Sequence, residues 1–220
     1  YALDKKKESH YIEEIMNKKR VIAVLVNGKE WNLKRTKVLE SFTAEIKKQG
    51  GTPYVVFTNS TKAPDINSKG IKWTIENYLK YKGQVIPDVI INMLPYSQTM
   101  FGNDDKELVD KSIFEELQIP VIQAMNTYQT REIWENDIRG LDSGALSTGV
   151  FYPEFDGQLI SVTCCTHELI EDEFGPRYIF APIEERVNKI VRLALNWIKL
   201  KEKKNKDKKI AIILHNMPPR

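Results

Sequence analysis

Two acidic residues in one short motif are the first side chains of this sequence whose types and spacing could do chemistry. Glu154 and Asp156 flank Phe155 in the segment PEFDG, and residues two apart in an extended backbone point to the same side. Such a pair can bind a cation or accept hydrogen bonds from backbone amides. The alternative is a structural turn, because Asp156 precedes a glycine and Pro153 fixes its own φ angle. From the residues alone, the turn is the favoured interpretation.

Three histidines and two cysteines are further candidates for binding or catalysis. Cys164, Cys165 and His167 lie close together, but adjacent strand residues point to opposite faces, so only one cysteine could share a site with a given ligand. We therefore expect one buried and one surface thiol, and no metal site. His10 is expected to be exposed on the first helix. His215 follows the last predicted strand, where α/β proteins place ligands, and is a candidate binding residue.

Motifs of nucleotide-binding proteins and of common hydrolases are absent from the sequence. It contains no GxGxxG, no GxxxxGK[ST], no GxSxG, no HExxH and no CxxC. The loop after the first predicted strand, NGKEWNLKRT, has a single glycine. If ATP drives the chemistry of this protein, we expect another chain to hydrolyse it.

Composition excludes several classes of protein. The 220 residues are 41% hydrophobic and 10% aromatic, which excludes wholesale disorder and allows one large core or two small ones. The net charge of +3 comes from mixed signs and predicts no nucleic-acid partner. No run of 18 apolar residues exists, so no membrane-spanning helix is predicted. Adjacent cysteines and the lack of a signal pattern favour a cytoplasmic location.

Apolar runs that suit buried strands alternate with segments of helical spacing, which is typical of βαβ units. Strands are predicted at 21–26, 53–58, 88–94, 120–125, 159–165 and 210–214. Helices are predicted within 1–20 and at 35–48, 70–82, 104–117, 130–137 and 183–200, with a surface loop at 167–172. The fold class is therefore α/β, a parallel sheet with flanking helices and flavodoxin-like or Rossmann-like βα repeats.

Three segments are predicted along the chain. Residues 1–20 form an N-terminal helix and residues 21–180 form the α/β domain. Residues 181–220 form a long helix and a strand that returns to the sheet or begins the next domain. The apolar run IAIIL just before the final HNMPPR predicts that the sequence is an excised region of a longer protein.

Four stretches, taken in order, resemble the large tetrapyrrole-binding chain of the family that contains cobaltochelatase CobN and magnesium chelatase. They are PVIQAMNTYQTREIWENDIRGL at 120–141, GVFYPEFDG at 149–157, the long helix with its basic stretch, and HNMPPR at 215–220. The last stretch is similar to the Asn-x-Pro-Pro turn of the family and adds Asn216 to His215 as a candidate. The likeness covers most of 21–220.

The resemblance implies part of an ATP-dependent chelatase, a ligase of cobalamin or chlorophyll-type synthesis that inserts a divalent metal, cobalt or magnesium, into a tetrapyrrole. AAA+ ATPase subunits would be its partners and would bind the ATP in place of this chain. The candidates for tetrapyrrole or metal contact are Glu154, Asp156, His215 and Asn216. Because family chains are much longer, catalytic residues are expected elsewhere, and this fragment is expected to be inactive alone.

Two other functions stay open at this point. The same scaffold could remove a metal from a tetrapyrrole. It could also be a non-catalytic α/β module that binds a ligand or docks the ATPase subunits. Titration with a tetrapyrrole would separate a binding module from a docking module.

Overall fold

The chain is built around one large sheet. The computed structural model describes residues 5–102 and 111–213, and in them this sheet has six strands. Its strands are β1 (Val21–Asn27), β2 (Thr52–Thr58), β7 (Val89–Asn92), β8 (Val121–Asn126), β9 (Leu159–Asp172) and β10 (Gly175–Pro182). Two short ladders pair β3 (Lys62–Ala63) with β4 (Ser68–Lys69) and β5 (Lys80–Tyr81) with β6 (Gln84–Val85).

The order of the strands confirms the predicted α/β class. It is β2-β1-β7-β8-β9-β10, with the first five parallel and β10 antiparallel to β9. Numbered along the chain, the parallel strands have the order 2-1-3-4-5 of flavodoxin-like folds. In such folds the order reverses between the first and third strands, here β1 and β7. Ligands bind outside the carboxyl ends of the strands near this reversal.

Helices cover both faces of the sheet. In the described parts of the chain the α-helices are α1 (Lys5–Met16), α2 (Gly28–Asn32), α3 (Lys37–Lys48), α4 (Gly70–Thr74), α5 (Gln98–Gly102), α6 (Arg131–Asn136), α7 (Ser143–Leu146), α8 (Tyr152–Glu154) and α9 (Glu184–Glu202). A π-helical turn continues α4 (Ile75–Leu79), and another joins α7 to α8 (Ser147–Phe151). Short 3-10 turns lie at Pro64–Ile66, Glu115–Leu117 and Asn205–Asp207.

Strand β1 is central to the core because residues 21–26 are buried on both faces. Ile22 and Val24 pack with α3 and α9, whereas Ala23 and Leu25 pack with α1 and α4. This arrangement explains the continuous apolar run in the sequence, since a strand covered on both faces needs no polar side. Each fully buried aliphatic side chain contributes about 1.5–3 kcal/mol.

The predicted long helices are confirmed. Helix α3 buries Val38, Leu39, Phe42 and Ile46, which follow the helical spacing seen in the sequence. Helix α9 packs beside α3 on the same face of the sheet and begins directly after Ile183. The predicted helical turn near 130–137 is α6, and the Thr130 hydroxyl caps it by accepting a hydrogen bond from the backbone N–H of Ile133.

The main departure from the sequence prediction is a hairpin. Residues 167–172 were expected to form a surface loop, but they are the second half of β9 and pair with β10, with His167 opposite Phe180. Strand β10 was not predicted. Polar residues such as Glu168 and Glu171 are compatible with this hairpin because an antiparallel pair can face water on one side.

Three other expectations need correction. The predicted helix at 104–117 lies partly outside the described residues, and its described end has one 3-10 turn. The predicted helix at 70–82 ends at Leu79. Residues 210–213 form no strand and are exposed, and residue 214 lies outside the described part. Strand β10 pairs with the outer edge of β9. It therefore occupies the position at which the predicted strand 210–214 would have joined the sheet. The division at 1–20, 21–180 and 181–220 stays a prediction, although α1 and α9 both pack on the sheet.

Candidate functional site

A buried network of amide side chains connects the last residue of β7, the middle of β8 and the residue before β9. The Asn92 amide donates to Gln123 Oε1 and to Gln158 Oε1, each at 3.0 Å. Gln158 in turn donates from Nε2 to Asp156 Oδ2 at 3.2 Å. All four side chains are buried, so this network ties β7, β8 and the residues before β9 together.

Asp156 is the acceptor at the end of this network. Its carboxylate accepts hydrogen bonds from the Ser97 hydroxyl at 2.7 Å and from the backbone N–H groups of Gln98 and Thr99 at 2.5 and 3.1 Å. These bonds satisfy the first amides of α5. With four donors already bound, Asp156 positions the loop after β7 and has its acceptor sites occupied by the protein itself.

Glu154 and Asp156 do not share a site. Residues 152–154 are helical and 155–157 form a turn, so the extended spacing that would place both carboxylates on one side is absent. Glu154 is exposed, whereas Asp156 is only 3% exposed. The two roles considered for this acidic pair were cation binding and acceptance of hydrogen bonds from backbone amides. Asp156 has the second role, because it accepts hydrogen bonds from two backbone N–H groups. His215 and Asn216 lie outside the described residues.

A cavity of about 810 Å³ lies along β2, at the edge of the sheet, and extends to Gly28 just after β1. Its walls come from β2, from α1 and from the segment that leads into α4. The volume is within the range of small-molecule sites in proteins, and β2 contributes five consecutive residues to the lining.

Several aromatic side chains line this cavity. Tyr11 and Trp73 line it and remain 49% and 42% exposed, although both are large apolar groups. Tyr54 and Tyr78 also line it, with ring centroids 6.3 Å from Tyr11 and 5.4 Å from Trp73, respectively. Exposed rings that converge on one cavity suit a flat, largely apolar ligand that stacks against them.

Tyr78 is hydrogen-bonded to two other residues that line the cavity. Its phenol donates a hydrogen bond to Glu8 Oε1, and its backbone carbonyl accepts one from the Tyr54 hydroxyl at 2.9 Å. Burial, followed by the hydrogen bond to Glu8, raises the pKa of Tyr78 to about 12. Burial likewise raises the pKa of Tyr54 well above its ordinary value. Both phenols are therefore neutral donors near neutral pH.

The described residues contain no group of three or more His, Cys, Asp and Glu side chains placed to hold a metal ion. Cys164 and Cys165 are both fully buried, which corrects the expectation of one surface thiol. Both faces of β9 are covered at Cys164 and Cys165. The alternation of side chains between the two faces of the strand therefore exposes neither thiol. The contact with Cys164 and burial hold the pKa of Cys165 well above its ordinary value. A protonated thiol is a poor metal ligand.

Sequence reasoning missed several functional candidates. Asn92 is the last residue of the apolar strand β7, and Gln123 lies in the middle of the apolar strand β8. These polar interruptions were the signal that could have identified the network. Tyr11 and Trp73 gave no such signal, because they lie on helices that are far apart in sequence. Only the packing of α1 and α4 beside β2 brings them together.

Comparisons with known proteins place this fold in a family. The profile of the family described as CobN/Magnesium Chelatase matches residues 2–220. A Methanocaldococcus jannaschii protein is 36% identical over 178 residues, which are 80% of this chain and 14% of that protein. The aerobic cobaltochelatase subunit CobN of a Sinorhizobium species is 25% identical over 188 residues, 84% of this chain and 14% of that subunit.

The fold has a counterpart among solved structures. The catalytic subunit of cobaltochelatase from Mycobacterium tuberculosis superposes with a TM-score of 0.64 and 22% identity, over 86% of this chain and 15% of that subunit. The chain thus spans about one seventh of the length of these relatives. Among the described residues, no helix is both long and apolar enough to cross a membrane. The chain belongs to the CobN/magnesium chelatase family.

Proposed function

We propose that this chain is part of the large subunit of a metal chelatase that holds a tetrapyrrole while a divalent metal, cobalt or magnesium, is inserted. The observation that carries the proposal is the family match across residues 2–220. The Sinorhizobium relative is named as a cobaltochelatase subunit, and the present chain aligns with it over most of its own length.

The cavity beside β2 supports this proposal and is where we place the macrocycle. A tetrapyrrole is flat and apolar on both faces, with polar groups at its rim. Trp73 and Tyr11 offer ring faces for stacking, and Lys69 and Asn59 line the same cavity as polar contacts for the rim.

ATP is assigned to partner subunits in this proposal. The sequence has no phosphate-binding loop of the GxxxxGK[ST] type, so hydrolysis by AAA+ ATPase subunits is the consistent arrangement. The complete complex would then act as a ligase in the cytoplasm. This fragment, which spans about one seventh of its relatives, would be inactive without the rest of the subunit.

The candidate residues have different proposed roles. Glu154 is exposed on α8 and does not line the β2 cavity, so its proposed role is to bind the divalent metal ion on its way to the macrocycle. Asp156 acts through the loop after β7, which it positions by three hydrogen bonds, from Ser97, Gln98 and Thr99. His215 and Asn216 are proposed to relay the metal ion, because imidazole and amide groups bind divalent metals.

The test is metal insertion by the whole large subunit, reconstituted with its ATPase subunits, ATP, a free-base tetrapyrrole and Co²⁺ or Mg²⁺. Insertion is followed by the absorbance change of the macrocycle. We expect Trp73→Ala to raise KM for the tetrapyrrole roughly tenfold, since a lost stacking contact of about 1.4 kcal/mol corresponds to that factor. The matched control is Phe174→Ala, which removes an exposed ring on the β9–β10 turn.

Three outcomes would count against this assignment. If neither metal is inserted, the chelatase proposal fails. If insertion proceeds and Trp73→Ala behaves like Phe174→Ala, the macrocycle does not bind in the β2 cavity. If the variant binds tetrapyrrole normally but no longer associates with the ATPase subunits, the chain is a docking module.

A further inference from the structure

Strand β10 covers only part of the outer edge of β9. The pairing of the two strands begins at Cys165, opposite Pro182, and continues from there to the β9–β10 turn. At Pro182 the chain leaves the sheet, and the Ile183 N–H donates to the Cys164 carbonyl at 2.8 Å just before α9 begins. Residues 159–163 of β9 therefore pair with β8 on one side and, among the described residues, have no strand on the other side. We call residues 159–163 the open edge.

The open edge lacks the sequence features that protect exposed strands. Its sequence is LISVT, which contains no proline and no charged residue. Soluble proteins keep an exposed strand from pairing with other chains by means of a charge, a proline or a covering segment. Apolar and β-branched residues such as Ile160 and Val162 also favour strand pairing. The open edge is therefore a site at which a further strand can add.

A groove of about 390 Å³ lies alongside the open edge. On the strand side it is lined by three consecutive residues, Ile160, Ser161 and Val162. Successive side chains of a strand point to opposite faces of the sheet. Contact with three residues in a row therefore places the groove beside the strand, and not on one face of it. An added strand would lie in the same place, about 4.8 Å from β9.

Helix α9 forms the other wall of this groove. It contributes Lys189, Arg192, Leu193 and Asn196, which fall three and four residues apart and so share one side of the helix. Leu193 is partly buried against the core and gives this wall an apolar part. The side chains of Lys189 and Arg192 are exposed, and neither has a hydrogen bond or an ion pair to another residue in the described ranges.

The two walls together define what fits the groove. The open edge offers backbone groups for strand pairing, which gives affinity, while side chains next to the added strand give specificity. Lys189 and Arg192 favour carboxylates in that strand, because hydrogen bonds between ionised groups are the strong ones. We propose that an extended acidic segment from the remainder of the large subunit adds to the open edge as a seventh strand. This inference rests on the proposed function, since it takes the chain as part of that subunit.

The remainder of the subunit is the source that the observations favour. The chain aligns with 14% of the Sinorhizobium subunit and covers 15% of the Mycobacterium tuberculosis subunit, so most of each relative lies outside the matched region. A segment of the same polypeptide also acts at a high effective concentration. A second copy of the chain fits less well. Pairing of two open edges would bring Lys189 and Arg192 of both copies together, and like charges repel.

Amide hydrogen exchange, followed by mass spectrometry, tests this proposal. The samples are the 220-residue chain and the whole large subunit, both without ATPase subunits. We expect the amides of 159–163 that exchange fast in the chain to exchange at least roughly tenfold more slowly in the whole subunit. Residues 21–26 of β1 are buried in the chain already and should be protected in both samples.

Charge reversal makes the test specific. In the whole subunit, Lys189→Glu combined with Arg192→Glu should remove the added protection of the open edge, because carboxylates would then face carboxylates. The matched control is Lys199→Glu combined with Lys203→Glu, which reverses two exposed charges near the end of α9 that do not line the groove. All four side chains are exposed, so both double variants of the 220-residue chain should keep the wild-type midpoint in urea.

Four results would overturn the proposal. Equal exchange of the open edge in the chain and in the whole subunit would show that no segment covers it. Equal protection in the two double variants would show that the added segment is not acidic. Protection that grows with the concentration of the 220-residue chain would identify a second copy as the occupant. Protection that requires the ATPase subunits would identify a separate partner.

The test also separates this proposal from the chelatase proposal. Metal insertion by a subunit whose open edge stays unprotected would refute the added strand and leave the chelatase proposal intact. A protected open edge in a subunit that inserts neither metal would have the opposite meaning. If the Lys189→Glu and Arg192→Glu double variant fails to fold, the comparison of the wild-type chain with the whole subunit still decides.

Discussion

Replacement of Asp156 by alanine tests the role that the structure gives to this carboxylate. The change removes the acceptor for two backbone N–H groups, those of Gln98 and Thr99, as well as for the Ser97 hydroxyl and the Gln158 amide. The two side chains can find other partners, but the two backbone groups at the start of α5 cannot move away. At about 1–3 kcal/mol for each unsatisfied donor, the loss is about 2–6 kcal/mol.

Urea denaturation measures this loss directly. We expect Asp156→Ala to lower the midpoint without changing the m value, which would indicate a loss of stability in a cooperative two-state unfolding. The control is Glu154→Ala, two residues away and exposed, which should change stability by no more than about 0.5 kcal/mol. A loss below about 1 kcal/mol in Asp156→Ala, or equal losses in both variants, would refute the structural role of Asp156.

Three more predictions follow from packing and titration. Gly102→Ala should cost about 1–3 kcal/mol in unfolding experiments, because a Cβ there would lie 2.3 Å from Cγ2 of Ile71; a neutral effect would show that α4 and α5 are not packed so closely. The pKa of Tyr78 is raised from 10.0 to about 12, so the folded state holds this proton more tightly. Its contribution to stability should be complete below about pH 10 and be lost as the pH rises toward 12. Tyr78→Phe should make the free energy of unfolding fall less steeply between about pH 10 and pH 12, as measured by urea unfolding at each pH. An equally steep fall in the wild type and in Tyr78→Phe would contradict this prediction. Cys164 and Cys165 are fully buried and should react with a thiol reagent only after unfolding; rapid modification of the native chain would show that β9 is open.

The strand and helix pattern was predictable wherever burial follows a simple period. Residues 21–26 are apolar at every position because β1 is covered on both faces, and α3 shows its buried side in the spacing of Val38, Phe42 and Ile46. The cap of α6 is likewise local, because the Thr130 hydroxyl accepts its hydrogen bond from the N–H of Ile133 three residues later. Local chemistry of this kind is fully present in the sequence.

The rest depended on contacts between distant segments. The second half of β9 contains Glu168 and Glu171, and only its pairing with β10 makes it a strand. The different burial of Glu154 and Asp156 depends on a helix and turn that a two-residue spacing rule does not foresee. The β2 cavity depends on the packing of α1, which is distant from β2 in sequence.

Direct binding of a free-base tetrapyrrole to this chain tests the central claim most closely. The measurement is the shift of the main absorption band of the macrocycle, titrated with the wild-type chain, with Trp73→Ala and with Phe174→Ala. The structure predicts saturable binding by the wild type, an unchanged affinity of Phe174→Ala, and an affinity roughly tenfold lower for Trp73→Ala. No spectral shift with the wild-type chain, or equal affinities for all three, would contradict a tetrapyrrole site in the cavity beside β2.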